Sequence, residues 1–254
     1  MEVPSIYIIN LKNDKINKEK LIKQFKKQNI PKFEFFNATY AKEDNESIKL
    51  YKEYNIKFKE NKIPKKVFGV EKLHIHNIGA FGVIQSTLKL YQYINNNTKL
   101  DHVIIFEDDV YLKKDFNNQF HITNIDLKDC DFMYIGHNCV NKELLSIRKK
   151  DKKKILNIKE ELSHINIYGA YGFICSRNFR EFVIQKGINY FINNNLNLDC
   201  FYASLYKSKD NNLKMKLYND HLVIPEVRKE GINNIRGEEF YIQREIDLNG
   251  YDII

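Results

Sequence analysis

The sequence contains little glycine, proline or cysteine, and each shortage excludes a class of protein. Its 254 residues include 10 Gly and 4 Pro, too few for a collagen-like or low-complexity chain. The four cysteines form no C-x-x-C pair, so neither a zinc knuckle nor a thioredoxin-type site is expected. No segment reaches the roughly 18 consecutive apolar residues of a membrane helix, and no signal peptide is visible. We therefore expect a cytoplasmic protein without a transmembrane segment.

The residues that are abundant predict a folded domain. Hydrophobic residues make up 43% of the chain and aromatic residues 13%, enough for a substantial core. The length fits a single domain over residues 1–254, in which the Lys/Glu-rich segment 141–163 is interpreted as a charged loop or an insertion. The formal charge of +8 would suit either a polyanion or a phosphorylated small molecule. The basic run 148–154 is not interleaved with aromatics and no nucleic-acid motif is present, so a nucleic-acid partner is not expected. No signal indicates an oligomeric state.

Apolar runs of strand length alternate with helical patterns, which predicts an α/β fold. The run at 102–106 is apolar throughout, as a strand covered on both faces should be. Ser176 is a plausible helix N-cap, and Gly187 is a plausible end of the same helix. The other predicted strands lie near 5–11, 32–38, 132–136, 171–175, 213–217 and 221–224, and the other helices near 17–29, 44–53, 79–95 and 200–207.

The strongest chemical signal is the acidic cluster Glu107-Asp108-Asp109, directly after the strand at 102–106. Two unit charges about 4 Å apart repel by roughly 4 kcal/mol at an effective dielectric constant near 20, and a divalent cation converts that repulsion into binding. Because side chains alternate along an extended chain, Glu107 and Asp109 can share one side while Asp108 points away. Carboxylate oxygens suit Mg²⁺ or Mn²⁺ bridged to a diphosphate. The alternative is three acids in a surface turn, which the apolar runs on both sides make less favourable.

The acidic cluster belongs to a set of segments that together resemble glycosyltransferase family 25, which includes bacterial lipooligosaccharide sugar transferases and collagen-type galactosyltransferases. The segment 79–88 resembles the family's Gly-x-x-Gly-Cys-x-x-Ser-His-Leu helix start, and 107–110 resembles its Glu-Asp-Asp-Val motif. The resemblance extends over about residues 5–237. Its segments, in the family's order, are Ile6–Leu11, Phe36–Thr39, Gly79–Leu88, His102–Leu112, Asp131–Gly136, Gly169–Arg177 and Leu198–Asp199.

The resemblance implies a GT-A fold, that is, a mixed, mostly parallel central sheet flanked by helices. It also implies a UDP-sugar donor, Mn²⁺ or Mg²⁺, and inverting transfer of a hexose to a hydroxyl of a glycan or a glycosylated protein. Asp109 would bind the metal, and Glu107 would contact the metal shell or the ribose. The residues expected in the donor site are Asn10, Leu11, Ala38, Thr39, Ser86, Glu107, Asp108 and Asp109.

Two further residues have less certain roles. The resemblance makes Asp199 the candidate base that accepts the proton of the acceptor hydroxyl. Asp199 could equally be a helix N-cap, or serve both purposes. Many GT-A enzymes take a further metal ligand from a late segment, which would make His221 a candidate ligand, although a lone His is more often structural.

Some positions depart from the family pattern. Val83 and Thr87 stand where the family has Cys and His, and no Pro precedes Asp199. These departures leave open an alternative, a catalytically inactive GT-A-like domain that binds a glycan or a protein partner. A third possibility, a metal-dependent nuclease or nucleic-acid binder, rests only on the net charge and the basic run.

Overall fold

The computed structural model describes residues 5–63, 75, 77–118, 127–138, 155–165, 167–208, 211–225, 250 and 252. None of the helices in these ranges is long and apolar enough to cross a membrane. The strands are β1 (Ile6–Asn10), β2 (Phe33–Asn37), β3 (His102–Glu107), β4 (Val110–Leu112), β5 (Phe132–Asn138), β6 (Ile155–Asn157), β7 (Tyr168–Ser176), β8 (Met215–Tyr218) and β9 (Val223–Pro225). The helices are α1 (Lys15–Lys27), α2 (Asn45–Lys59), α3 (Ile78–Asn97), α4 (Ile158–Glu161), α5 (Arg177–Asn193) and α6 (Leu198–Lys207).

Seven of these strands form one sheet in the order β2-β1-β3-β7-β5-β8-β6. The pairs β1–β2, β1–β3 and β5–β8 are parallel, whereas β7 is antiparallel to both of its neighbours and β6 is antiparallel to β8. Five strands therefore run in one direction and two in the other. The predicted mixed, mostly parallel sheet flanked by helices is confirmed.

Both faces of β3 are buried, as its uninterrupted apolar sequence predicted. Val103 and Ile105 belong to the larger apolar cluster, which includes residues of α3, α5 and α6. Ile104 and Phe106 point to the opposite face and pack in a cluster with Phe25 of α1. Because both faces are covered, the acids that follow β3 are held at the end of a fixed strand.

Gly187 interrupts the helical backbone of α5, as the sequence predicted. It has φ 63° and ψ 170°, a positive-φ conformation that glycine adopts without steric cost, and a second helical segment continues from there to Asn193. Of the charged segment 141–163, residues 155–163 are described; they include β6 and α4, and β6 pairs with β8 in the sheet. Ser176 caps α5 as predicted, its side chain accepting from the backbone N–H of Phe179 at 3.1 Å.

A second, two-stranded sheet lies beside the acidic cluster. Strand β4 begins at Val110 and pairs antiparallel with β9. Strand β9 crosses the main sheet at two glycines: a Cβ at Gly136 or Gly172 would stand 2.3 or 2.1 Å from Cγ2 of Val223. The absence of a side chain at both positions lets β9 lie directly on β5 and β7, which fixes β4 as well.

Candidate functional site

A cleft of about 410 Å³ opens at the carboxyl ends of β1, β2 and β3. The first half of α3 forms one wall, and residues of β7 and the start of α6 complete the lining. Ligands of α/β sheets bind at this edge of the strands. The lining residues are Ile9, Leu11, Asp14, Ala38, Thr39, Tyr40, Ala41, Lys42, Gly79, Gly82, Val83, Ser86, Thr87, Ile105, Phe106, Glu107, Asp108, Asp109, Ala170, Phe173 and Leu198.

The acidic cluster is fixed between two strands. Glu107 is the last residue of β3, and Asp108 and Asp109 form the connection to β4. The buried side chain of Gln24 in α1 holds β4: its Nε2 donates to the carbonyl of Val110 at 3.1 Å, and its Oε1 accepts from the N–H of Leu112 at 2.7 Å. A flexible surface turn would have neither anchor, so the structure does not fit that alternative.

The three acids do not share one environment. Nδ2 of the buried Asn10 donates to Oδ2 of Asp108 at 2.6 Å and to the carbonyl oxygen of Asp14 at 3.1 Å. Burial raises the pKa of Asp108 to about 6, with smaller upward contributions from the charges of Asp109 and Asp14 and a downward one from the Asn10 hydrogen bond. Glu107 lies on the other face, toward Tyr202: burial raises the pKa of this tyrosine most, and the charge of Glu107 makes a smaller upward contribution.

The loop after β2 is held against α3 by a serine. The N–H of Thr39 donates to Oγ of Ser86 at 2.8 Å, and that hydroxyl donates to the carbonyl of Gly82 at 2.6 Å. The N–H of Ala38 donates to the carbonyl of Asn10 at 2.9 Å. The Ser86 hydroxyl thus donates to one backbone group and accepts from another, and in this way it positions Thr39 in the cleft wall.

Gly82 allows the same loop to approach the helix closely. A Cβ at this position would lie 2.9 Å from the carbonyl oxygen of Thr39 and 3.1 Å from Cβ of Ala41. Both contacts are tighter than a side chain normally tolerates, and the first is to backbone. The glycine in the segment 79–88 is therefore a packing requirement of the cleft wall.

Asp199 lies in the first turn of α6, next to Leu198, which lines the cleft. Asp199 is not the N-cap, because Asn197 has that position and its Oδ1 accepts from the N–H of Cys200 at 2.8 Å. The structural alternative for Asp199 is thus wrong. The negative charge of Asp199 contributes to the raised pKa of Tyr202, as that of Glu107 also does, so both carboxylates act on the same buried hydroxyl.

His221 is not among the residues that line the cleft. It is buried, and its ring centroid lies 4.3 Å from that of His137 near the end of β5. Within the described ranges, no group of three or more His, Cys, Asp and Glu side chains is placed to hold a metal ion. Cys130, Cys175 and Cys200 are buried free thiols, while Cys139 is outside the described residues.

The structure brings most of the expected donor-site residues into one cleft. Leu11, Ala38, Thr39, Ser86 and the three acids line it, and Asn10 lies directly behind Asp108. Sequence reasoning missed Asp14 and Tyr40, which also line the cleft. Asp14 caps α1 by accepting from the N–H of Asn17 at 3.1 Å, and an Asp just before a helical pattern is a recognisable N-cap signal. Nothing in the sequence around Tyr40 distinguished it from other tyrosines.

Comparison with known proteins identifies the family. Residues 3–187 match the sequence model of glycosyltransferase family 25, described as LPS biosynthesis proteins. The chain belongs to glycosyltransferase family 25. The match covers the cleft wall, the acidic cluster and β7, and it ends before Asp199 and His221. Family membership and the mixed, mostly parallel sheet together confirm the predicted GT-A type fold.

No curated protein sequence matches this family 25 chain. Solved structures similar to it include a glycosyltransferase involved in the glycosylation of the major capsid of PBCV-1, at 6% identity and a TM-score of 0.46, covering 96% of this chain and 100% of that one. An active-site mutant of LgtC matches at 11% identity and a TM-score of 0.47, covering 98% and 97%. Mouse xyloside xylosyltransferase 1 in its apo form matches at 8% identity and a TM-score of 0.35, covering 80% and 81%.

Proposed function

We propose that the protein transfers a hexose from a UDP-sugar to a hydroxyl group of a glycan or a glycosylated protein, acting as a single GT-A domain over residues 1–254. The observation that carries the proposal is the cleft of about 410 Å³, which unites the ends of β1 and β2 with the acidic cluster of β3. Family 25 membership supports the reaction class. The nucleoside would lie along Leu11, Ala38 and Thr39, and the diphosphate beside the acids.

The acidic cluster fits a divalent cation, Mn²⁺ or Mg²⁺. Glu107 and Asp109 both line the cleft and offer hard oxygen ligands, whereas Asp108 is held by Asn10. Such cations are commonly bound by one or two carboxylates together with substrate phosphates and water, so a full set of protein ligands is not required. Bound there, the ion would supply electrostatic stabilisation of the leaving diphosphate. His221 does not line the cleft in the described structure, and its role as a further ligand stays a prediction.

Asp199 is proposed as the base. The acceptor oxygen forms a bond to the anomeric carbon of the sugar while the bond from that carbon to the diphosphate oxygen breaks. The hydroxyl proton passes to the carboxylate of Asp199, and the electron pair of the broken bond leaves with UDP. One displacement of this kind inverts the anomeric configuration. Asp199 lies in the first turn of its helix, where the N-terminal end carries partial positive charge.

The proposal is tested with a panel of UDP-sugars and Mn²⁺, reading UDP release with and without glycan acceptors. Asp109→Asn should abolish UDP release, and Asp115→Asn is the matched control because it makes the same change six residues later, at an exposed position. Asp115 has φ 59°, a conformation that Asn adopts as readily as Asp, so the control should fold normally.

The outcomes separate the two leading functions. UDP release that depends on Asp109 supports the enzyme, and NMR of the product's anomeric proton then reports whether the configuration inverts. UDP binding without turnover for any donor would instead favour a non-catalytic binding domain. Full activity in Asp109→Asn would remove Asp109 from the proposed metal site.

A further inference from the structure

Exposed apolar side chains in the described residues are concentrated at the cleft. Five large hydrophobic side chains are exposed in the described residues, and three of them, Leu11, Tyr40 and Val83, line the cleft. Single exposed apolar residues are ordinary, but a group of them around one polar cavity is typical of a ligand groove. Tyr40 is the one aromatic residue in this exposed group, with 44% of its surface accessible.

The backbone that carries Tyr40 is fixed on both sides. On one side, the N–H groups of Ala38 and Thr39 donate to Asn10 and Ser86. On the other, the carbonyl oxygen of Tyr40 accepts from the N–H groups of Glu43 and Asp44, at 3.0 and 3.1 Å. Within the described part of the chain, its ring makes neither a hydrogen bond nor a ring contact. In the described residues, Tyr40 therefore presents a partly exposed aromatic ring at the cleft that no hydrogen bond or other ring engages.

Tyr40 and the acids are arranged like the base and the phosphates of a nucleotide. Tyr40 follows β2, Leu11 follows β1 and the acids follow β3, so β1 separates Tyr40 from the acids. Neighbouring strands are about 4.8 Å apart, which places β2 about 10 Å from β3. A nucleoside diphosphate has the same order, since ribose separates the base from the phosphates.

The opposite end of the cleft is suited to the transferred sugar. Beyond β3 in the sheet comes β7, whose Ala170 and Phe173 line the cleft, and then Leu198 beside Asp199. A donor lying across the strand ends would thus meet Tyr40 first, the acids next and Asp199 last. This order puts the proposed base at the anomeric carbon only if the nucleobase lies at the β2 end.

We propose that Tyr40 stacks on the base of the donor nucleotide and so sets the direction in which the donor lies, with uracil over the end of β2 and the sugar toward β7. This inference rests on the proposed function. Aromatic rings stack on the faces of bases, and removing such a ring weakens binding by about 5- to 150-fold. Leu11, at the end of the adjacent strand, provides an apolar surface beside it.

The test is calorimetry on the full chain with two probes, UDP and inorganic pyrophosphate, each supplied with Mn²⁺. Tyr40→Leu should weaken UDP binding about 5- to 150-fold while pyrophosphate binding stays within about twofold. Tyr40→Phe keeps the ring and should bind UDP like the wild type. Ile56→Ala, at an exposed apolar residue of α2 outside the cleft, is the surface control and should bind UDP unchanged. In the wild type the ring current should shift the uracil H5 and H6 resonances upfield, and Tyr40→Leu should remove this shift.

Four results would overturn the inference. If Tyr40→Leu binds UDP as tightly as the wild type, or loses UDP and pyrophosphate equally, Tyr40 does not contact the base, and the proposed function is unaffected. A Tyr40→Leu variant that loses affinity for UDP-sugars but not for UDP would place the ring at the sugar instead. A wild-type protein that binds no UDP would overturn both the inference and the proposed function.

Discussion

Asn10 and Asp108 join the ends of two neighbouring strands, with Nδ2 of Asn10 lying 2.6 Å from Oδ2 of Asp108. The same amide also donates to the carbonyl oxygen of Asp14 at 3.1 Å, so both of its N–H groups have acceptors. Burial raises the pKa of Asp108 to about 6 even though this hydrogen bond acts in the opposite direction. Asp108 is thus part of the scaffold, whereas Glu107 and Asp109 are the acids proposed to bind the cation.

The raised pKa of Asp108 predicts a specific pH dependence of stability. The ordinary pKa is 3.8, so between about pH 4 and pH 6 the folded state holds a proton that the unfolded state has released. The stabilisation from that proton is complete below pH 3.8 and is lost as the pH rises through about 6. Allowing for solvent screening of a partly exposed group, the loss should be at most about 2 kcal/mol.

The measurement is the free energy of unfolding by urea at pH 4 and pH 7, in EDTA, for the wild type and Asp108→Asn. Relative to Asp108→Asn, the wild type should have a lower free energy of unfolding at pH 7 than at pH 4. EDTA is needed because a cation at Glu107 and Asp109 would favour the ionised form of Asp108. A difference that stays constant across this range would show that Asp108 titrates at its ordinary pKa.

Ser86 of α3 holds Thr39 in the cleft wall, so we expect its substitution to alter the cleft. Ser86→Ala removes the acceptor of the Thr39 N–H, and an unsatisfied buried donor costs about 1–3 kcal/mol. Because Thr39 lies in the cleft wall, UDP binding should weaken as well. Stability is measured by urea unfolding and binding by calorimetry.

Ser204→Ala is the matched control for this change. Ser204 is also buried in a helix, and its Oγ donates to the carbonyl of Phe201 at 2.7 Å, much as Ser86 donates to Gly82. Among the described residues, the Ser204 hydroxyl bonds within its own helix and not to another segment as Ser86 does to Thr39. Equal losses of stability and no change in UDP affinity would mean that the Thr39 contact contributes nothing to the site.

The buried Arg180 predicts a large loss of stability on substitution. Its guanidinium donates to four oxygen atoms on three parts of the chain and so joins the end of α3 to the start of α5. Arg180→Met leaves these acceptors without donors in the core, which should destabilise the protein by at least about 3 kcal/mol. The acceptors are Asn95 Oδ1 at 2.7 Å and the carbonyl oxygens of Leu100 at 2.7 Å, Cys175 at 3.1 Å and Asp101 at 3.2 Å.

Arg177, one turn earlier, is the control. It is partly exposed, and besides an i,i+4 ion pair with Glu181 at 2.9 Å it donates to the carbonyl oxygens of Asn95 at 3.2 Å and Thr98 at 3.4 Å. Water can replace these longer and more exposed contacts, so Arg177→Met should cost about 1 kcal/mol, clearly less than Arg180→Met. Similar losses for both substitutions would contradict the assignment of Arg180 as the structural clamp.

The sequence predicted the parts of this fold that depend on local pattern. The apolar run of β3 and the acids after it were identified because strand ends in α/β sheets collect ligands, and the structure places the expected donor residues from β1, β2 and α3 around that end. These residues come together because β2, β1 and β3 pair in parallel, which aligns the ends of strands that are far apart in the chain.

Features that depend on contacts between distant segments were not predictable. Gly187 breaks the helix as predicted, but the sequence did not reveal that a second helical segment follows it to Asn193, with Phe191 and Ile192 buried in the core. Asn197 rather than Asp199 caps α6, and both are suitable cap residues, so only their placement distinguishes them. The exposure of Tyr40 likewise follows from the docking of its loop on Ser86 and Gly82.

Asp199 and Asn197 provide a final prediction that separates chemistry from structure. Asp199→Asn removes the proposed base and should lower kcat by about 10²- to 10⁴-fold. UDP affinity should stay within about twofold, because the base acts on the acceptor and not on the nucleotide. Stability should fall by less than about 1 kcal/mol, the contribution of an acid in a first helical turn.

Asn197→Ala should lower stability and leave kcat nearly unchanged. Losing the bond from the Cys200 N–H to Asn197 Oδ1 removes the cap of α6 and should cost about 1 kcal/mol of stability, with kcat within a fewfold of the wild type. Steady-state kinetics, calorimetry and urea unfolding on both variants give the comparison. If Asp199→Asn retains kcat, the base must be another group, and the carboxylate at this position would then serve only the start of the helix.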